Sequence, residues 1–124
     1  MNIPEELLYT KDHEWVQIDN DIAIVGITDY AQSELGDIIF VELPDENTSF
    51  NSGDSVGTIE AVKTVADIFI PLNGEIAEVN HNLEETPESI NKDPYIAGWL
   101  LKLRNFTKHG SELLSAFEYI KLIK

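Results

Sequence analysis

Cysteine is absent from the 124-residue sequence. A disulfide framework, a cysteine nucleophile, a cysteine zinc site and a CxxC redox pair are therefore all excluded. Basic residues are scarce as well, because 8 Lys and Arg face 23 Asp and Glu and give a formal charge of −15, with a pI near 4.3. Such a field repels phosphate backbones and anionic headgroups, which argues against binding to nucleic acid or to a membrane surface.

Long hydrophobic runs are also missing. No apolar stretch approaches the roughly 18 residues that span a bilayer. The N-terminal residues MNIPEE have neither the basic start and apolar core of a signal peptide nor the Arg and Ser bias of a transit peptide. We therefore expect a cytoplasmic protein. The length predicts a single domain over residues 1–124, and 43% hydrophobic residues are enough for a packed core.

Catalytic motifs are lacking too. The sequence has no glycine-rich phosphate loop, no nucleophile elbow and no HExxH pattern. Its histidines, His13, His81 and His109, are scattered without the spacing of a metal site. For His13, which stands beside Asp12 and Glu14, we expect local packing or a hydrogen bond rather than a metal or acid–base role. The sequence therefore predicts no catalytic site and no metal site.

The chain does contain a series of short segments rich in β-branched residues, separated by turn formers. Residues 71–74, PLNG, predict a turn in which Asn-Gly supplies a positive φ. The strand over 37–43 is expected to be buried on both faces near its middle. The predicted strands are 14–18, 22–27, 37–43, a pair within 55–70, 75–80 and 99–104.

Short helices complete the predicted architecture, over residues 29–35, 87–91 and 111–124. In the last of these, Ser115 and Glu118 have the spacing of a capping box. Four apolar residues recur every third position and should dock this helix on the sheet: Leu114, Phe117, Ile120 and Ile123. The patterns together predict a small, strand-rich sandwich or barrel dressed with short helices.

Residues 55–70, SVGTIEAVKTVADIFI, contain the one lysine that stands out. Some apolar residues have helical spacing, but eight β-branched residues favour two strands that meet at a tight turn near Lys63. A lysine at such a tip projects its ammonium group from the body on a flexible stem, which suits enzymatic acylation and a swinging arm. An ordinary solvated lysine fits the same place, so position alone leaves both interpretations open.

Ten short segments, taken in order, form a specific signature. They are YTKDHEWV (9–16), VGITDYAQ (25–32), LGDI (35–38), FVELP (40–44), GDSVGTIEAVK (53–63), GEI (74–76), EVN (78–80), NKDPY (91–95), GWL (98–100) and LLSAFEY (113–119). This pattern closely resembles the H-protein family of the glycine cleavage system, without a gap from about residue 7 to 120. The family usually has Ser where Ala61 stands, and this departure leaves Lys63 untouched.

The resemblance implies a mainly β fold, a lipoyl/biotinyl-type barrel-sandwich hybrid of two small sheets with short peripheral helices and a C-terminal helix. It implies a non-catalytic carrier in which Lys63 bears lipoic acid in amide linkage, so that the cofactor brings the sulfur that this chain lacks. By the same resemblance, Glu14 and Asp67 contact the aminomethyl ammonium group of the loaded arm. Glu60 helps the lipoylating enzyme to recognise the hairpin. For these three acids, a plain surface role is the alternative.

The implied partners are glycine decarboxylase (P protein), aminomethyltransferase (T protein), dihydrolipoyl dehydrogenase (L protein) and a lipoate ligase or lipoyltransferase. The high negative charge is compatible with fast, weak docking onto basic rims. Three other functions stay open. A lipoyl relay that donates lipoyl groups to other carrier domains would use the same lysine. A biotin carrier usually has methionines on both sides of its lysine, where Val62 and Thr64 stand here. An adaptor would keep the fold with Lys63 unmodified.

Overall fold

The computed structural model describes residues 1–108 and 112–124, and within them nine strands, three α-helices and one 3-10 helix. His109 and the first residue of the helix predicted over 111–124 lie outside the described residues. Across these two ranges, no helix is long and apolar enough to cross a membrane.

Six strands form the larger sheet: β1 (Leu8–Tyr9), β2 (Glu14–Asp19), β3 (Ile22–Ile27), β5 (Ser49–Phe50), β8 (Asn73–Val79) and β9 (Leu101–Thr107). Their order in the sheet is β1-β2-β3-β9-β8-β5, and every neighbouring pair is antiparallel. The predicted hairpin over 14–27 is confirmed as β2 and β3, with Trp15 opposite Gly26.

Three strands form the smaller sheet, with β6 (Ser55–Ala61) between β4 (Ile38–Glu42) and β7 (Val65–Phe69). Both pairs are antiparallel, so β6 and β7 make the hairpin that the β-branched residues predict. The two sheets enclose one core, to which the larger sheet contributes Val25 and Leu103 and the smaller sheet Ile59 and Ile68. A mainly β protein of two small sheets is thus confirmed.

The helices lie at the periphery. They are α1 (Asp29–Leu35), the 3-10 helix (His81–Glu84), α2 (Ser89–Lys92) and α3 (Ala116–Ile123). Helix α1 begins where the Thr28 hydroxyl accepts a hydrogen bond from the N–H of Ala31, at 3.1 Å. It ends at Gly36, whose φ of 81° a glycine adopts at little cost. The predicted capping box of Ser115 and Glu118 is present at the start of α3.

Three local predictions were wrong. Asn73 and Gly74 belong to β8 instead of a turn, and Gly74 has no positive φ, because the bend comes earlier. The middle of β4 is exposed, since an irregularity in the register between Ile38 and Phe40 breaks the alternation of faces and leaves Phe40 51% exposed. At α3, the predicted docking is confirmed for Leu114 and Ile123, which pack against a core cluster, but is wrong for Phe117, which is 68% exposed. Tyr119 is fully buried in its place.

Candidate functional site

Lys63 lies at the tip of the hairpin between β6 and β7 and is exposed. The turn is closed by the N–H of Ala61, which donates to the carbonyl of Thr64 at 2.8 Å. A second bond, from the N–H of Val62 to the carbonyl of Asp37 at 3.1 Å, ties the tip to the residue before β4. Only a short, anchored turn therefore carries the amine, and the flexibility resides in the lysine stem.

Gly36 lies under that stem. A Cβ at this position would come within 3.1 Å of Cε of Lys63. Glycine thus serves two purposes here, because it ends α1 with a positive φ and leaves room for the lysine. Since residues 31, 34 and 35 of the same helix line a cleft, the lysine stem lies next to one end of that cleft.

The cleft has a volume of about 310 Å³ and opens between α1, the start of β2 and the strands of the hairpin. Four acidic residues contribute to its lining, together with a histidine, a tyrosine and a set of apolar side chains. The lining residues are Asp12, His13, Glu14, Ile27, Tyr30, Ala31, Glu34, Leu35, Ile59, Ala66 and Asp67. Apolar walls with acidic groups suit an alkyl chain that ends in a cation.

Glu14 is the buried acid of the cleft, with only 2% of its surface exposed. One carboxyl oxygen accepts a hydrogen bond from the N–H of Phe69 at 2.9 Å, and the other accepts from the hydroxyl of Thr10 at 3.3 Å. Burial raises the pKa of Glu14 to about 8, against the smaller opposite effect of the Phe69 hydrogen bond. The alternative of a solvated surface acid is therefore wrong for Glu14.

Asp67 and Glu60 occupy different places. Asp67 is exposed on β7, two residues before Phe69, and lines the same cleft as Glu14. Glu60 is half-buried on β6, opposite Phe40 on one side and Val65 on the other. Because cross-strand partners share a face of the sheet, Glu60 lies on the face that carries Phe40 and Val65. The structure thus brings Glu14 and Asp67 together and keeps Glu60 beside the lysine tip.

A set of hydrogen-bonded residues behind the cleft escapes sequence analysis. Nδ1 of His13 lies 2.9 Å from the hydroxyl of Tyr119, and that hydroxyl lies 2.7 Å from the hydroxyl of Thr28. The local packing and hydrogen bonding expected of His13 are confirmed, with the ring of Tyr30 4.9 Å away. Thr28 gives a signal only as a helix cap, and Tyr119 is 106 residues from His13, so no local pattern connects them.

Comparison with known proteins agrees with this geometry. The family model described as "Glycine cleavage H-protein" matches residues 7–124. The glycine cleavage system H protein of Herpetosiphon aurantiacus is 56% identical over 122 residues, which are 98% of this chain and 94% of that one. The protein of the same name from Halothermothrix orenii is 47% identical over 125 residues, covering 100% and 98% of the two chains.

A crystal structure shows the same architecture. The glycine cleavage system H protein from Mycobacterium marinum superposes with a TM-score of 0.89 at 40% identity, over 96% of this chain and 97% of that one. The barrel-sandwich fold implied by the ten sequence segments is thus confirmed. The chain belongs to the glycine cleavage H-protein family, whose members are non-catalytic lipoyl carriers of the glycine cleavage system.

Proposed function

We propose that Lys63 is the residue that carries the lipoyl group, in amide linkage to its Nζ. The exposed amine at the tip of an anchored hairpin supports this proposal more than any other observation, because an attaching enzyme needs access to both the amine and its flanks. Val62 and Val65, beside it, are 71% and 58% exposed. When bound, the lipoyl group supplies a disulfide that accepts an aminomethyl group and two electrons.

The partners of this chain belong to the glycine cleavage system. We propose that glycine decarboxylase loads the arm, that aminomethyltransferase unloads it, and that dihydrolipoyl dehydrogenase reoxidises it. A lipoate ligase or lipoyltransferase attaches the arm. The formal charge of −15 supports transient docking of each partner through a basic rim, because charge steers encounter without requiring tight binding. One lipoyl-carrier domain over residues 1–124 is sufficient for this work.

Glu14 and Asp67 hold the loaded arm by its ammonium group in this proposal. Apolar cleft walls suit the aliphatic part of the arm, and the two acids suit its positive end. A cation next to Glu14 favours the carboxylate form and lowers the pKa that burial raises to about 8. Glu14 therefore gives up its proton when a cation is held beside it and takes the proton back when the cleft empties. This coupling avoids an unpaired buried charge in the empty carrier.

Glu60 serves recognition by the lipoylating enzyme. Its place supports this role, since it shares an exposed face with Phe40 and Val65, three residues from Lys63 in the chain. A basic side chain of the enzyme can pair with Glu60 while an apolar surface covers Phe40. Glu60→Gln should slow lipoylation while leaving aminomethyl transfer by the lipoylated protein unchanged.

The attachment site is tested by reconstitution with glycine decarboxylase, with exchange of labelled bicarbonate into glycine as the measure of loading. Lys63→Arg should abolish exchange, because a guanidinium group cannot receive the arm. Lys11→Arg, at another exposed lysine in a turn, is the matched control and should retain full exchange. Exchange that survives in Lys63→Arg contradicts the proposal.

The cleft is tested by the rate at which ammonia leaves the loaded arm in the absence of partner enzymes. Asp67→Asn should raise this rate. Glu42→Gln is the matched control. Glu42 is an exposed acid in the same cross-strand row as Asp67, because both residues pair with Thr58 of the central strand, but it does not line the cleft. Equal rates in the two variants would show that Asp67 does not hold the arm.

A further inference from the structure

Three side chains from distant parts of the sequence form one hydrogen-bonded chain that ends at the cleft. Thr28 caps α1, Tyr119 comes from α3, and His13 precedes β2. Thr28 and Tyr119 are fully buried, and their hydroxyl oxygens are 2.7 Å apart. The Tyr119 hydroxyl then reaches Nδ1 of His13 at 2.9 Å, and His13 lines the cleft.

Backbone hydrogen bonds fix the positions of His13 and Thr28 relative to each other. The carbonyl of His13 accepts a hydrogen bond from the N–H of Thr28 at 3.0 Å. His13 has a φ of 67°, a conformation that a histidine adopts at some cost, and its N–H donates to the carbonyl of Thr10 at 3.1 Å. The imidazole is thus fixed by its own backbone as well as by Tyr119.

The direction of the hydrogen bonds follows from what each buried group already does. The oxygen of Thr28 accepts from the N–H of Ala31, and its hydrogen has Tyr119 as its one acceptor among the residues that the structure describes. A buried hydroxyl hydrogen without an acceptor is costly, so Thr28 donates to Tyr119. The hydroxyl of Tyr119 therefore donates to Nδ1 of His13, which must then be unprotonated. His13 is the neutral tautomer with its proton on Nε2.

The surroundings of His13 act on its charge in both directions. Burial lowers its pKa and has the larger effect, whereas the acids Asp12 and Glu34 raise it. Tyr30 packs on the ring, and Glu14 and Asp67 line the same cleft. A protonated imidazole would carry a hydrogen on Nδ1, and Nδ1 could then no longer accept the hydrogen bond from the hydroxyl of Tyr119.

We propose that Thr28 and Tyr119 add to the effect of burial and keep His13 uncharged, so that the acidic cleft stays free of an internal cation and is available to a cationic cargo. Tyr119 is thus a positioning residue that acts on the cleft through His13. The role toward a cationic cargo rests on the proposed function, whereas the uncharged state of His13 does not. An imidazolium ion among these acids would neutralise part of their charge and repel an ammonium group, whereas the neutral ring does neither.

The first experiment uses the unlipoylated protein and therefore tests the chain of hydrogen bonds by itself. Histidine ring resonances are titrated by NMR, and His13→Asn assigns the signal of His13, because Asn tolerates a positive φ. Tyr119→Phe should raise the pKa of His13 by roughly half a unit to one unit, the equivalent of one lost hydrogen bond to the neutral ring. Thr28→Ser keeps both the cap and the hydroxyl and should leave this pKa unchanged.

Tyr9→Phe is the matched control for Tyr119→Phe. The two tyrosine rings are stacked with centroids 4.8 Å apart, and the hydroxyl of Tyr9 donates to the carbonyl of Pro4 instead of to the chain. Its loss should leave the pKa of His13 where it is. Equal values in Tyr9→Phe and Tyr119→Phe overturn the proposal, and so does a wild-type His13 that carries its proton on Nδ1.

The second experiment measures loss of ammonia from the loaded arm as a function of pH. Tyr119→Phe should lose ammonia about threefold faster than wild type near pH 6, where its His13 is more often charged, and at the wild-type rate at pH 8. A shifted pKa with equal rates at both pH values overturns the role toward the cargo. Failure of the proposed function would give a different result, because Asp67→Asn would then also lose ammonia at the wild-type rate.

Discussion

Glu14 makes the stability of this protein depend on pH in an unusual direction. Its pKa is about 8 in the folded protein because the side chain is buried, against an ordinary value of 4.5. Between these two values the folded state holds a proton that the unfolded chain has released. The folded state therefore binds more protons, and the free energy of unfolding falls as pH rises from about 5 to about 8.

The size of the effect follows from the same two values. At about 1.4 kcal/mol per pKa unit, Glu14 lowers the free energy of unfolding by roughly 3 to 4 kcal/mol between pH 5 and pH 8. This is a large share of the 5 to 15 kcal/mol that is typical of small domains. Glu14→Gln removes the titration and keeps an oxygen that accepts from the N–H of Phe69. The free energy of unfolding of the variant should therefore increase relative to that of wild type as pH rises.

Urea unfolding at pH 5, 6, 7 and 8 measures this difference. Wild type and Glu14→Gln should be close in stability at pH 5 and diverge steadily above it. Glu85→Gln is the control, because it removes one exposed carboxyl group and the same formal charge. Its pH profile should parallel that of wild type. If the profile of Glu14→Gln runs parallel to wild type as well, Glu14 is charged in the folded protein and our account of the empty cleft is refuted.

Two further predictions concern the scaffold. Gly57→Ala should lower the free energy of unfolding by roughly 3 kcal/mol in urea titrations, since a Cβ there would lie 2.1 Å from the carbonyl oxygen of Glu42 on the neighbouring strand. A loss no larger than that of Gly74→Ala, whose Cβ would come no closer than 3.2 Å to its nearest contact, Cβ of Phe106, would contradict this. Ser115→Ala should cost about 1 kcal/mol by removal of the cap on α3. Ser33→Ala, at an exposed serine inside α1 that caps no helix, should not, and equal losses would argue against the cap.

Much of the site could be predicted because its signals are local. The hairpin that carries Lys63 follows from the β-branched residues on both sides of one turn, and α1 follows from Thr28 and Gly36 at its ends. Local patterns fail where distant residues decide the outcome. The buried carboxyl group of Glu14 has its hydrogen-bond donor in the N–H of Phe69 on β7, and the tautomer of His13 depends on Tyr119. Neither partner is within fifty residues in the sequence.

The wrong predictions about the fold have the same origin. A run such as PLNG is compatible with a tight turn, but the pairing of Gly74 with Phe50 on the neighbouring strand extends β8 through it. On α3, the three-residue spacing predicted a buried Phe117, whereas the stack of Tyr119 on Tyr9 sets which face of the helix is covered. Periodicity within one segment contains no information about which distant strand or side chain packs against that segment.

In our proposal, one amine, at the tip of the hairpin between β6 and β7, receives the arm on which the carrier depends. The most direct measurement is the intact mass of the protein purified from its own cells, for wild type and for Lys63→Arg. We expect wild type to carry a lipoyl-sized increment that Lys63→Arg lacks. A lipoyl increment that persists in Lys63→Arg, a biotin-sized increment, or an unmodified wild type would contradict the account.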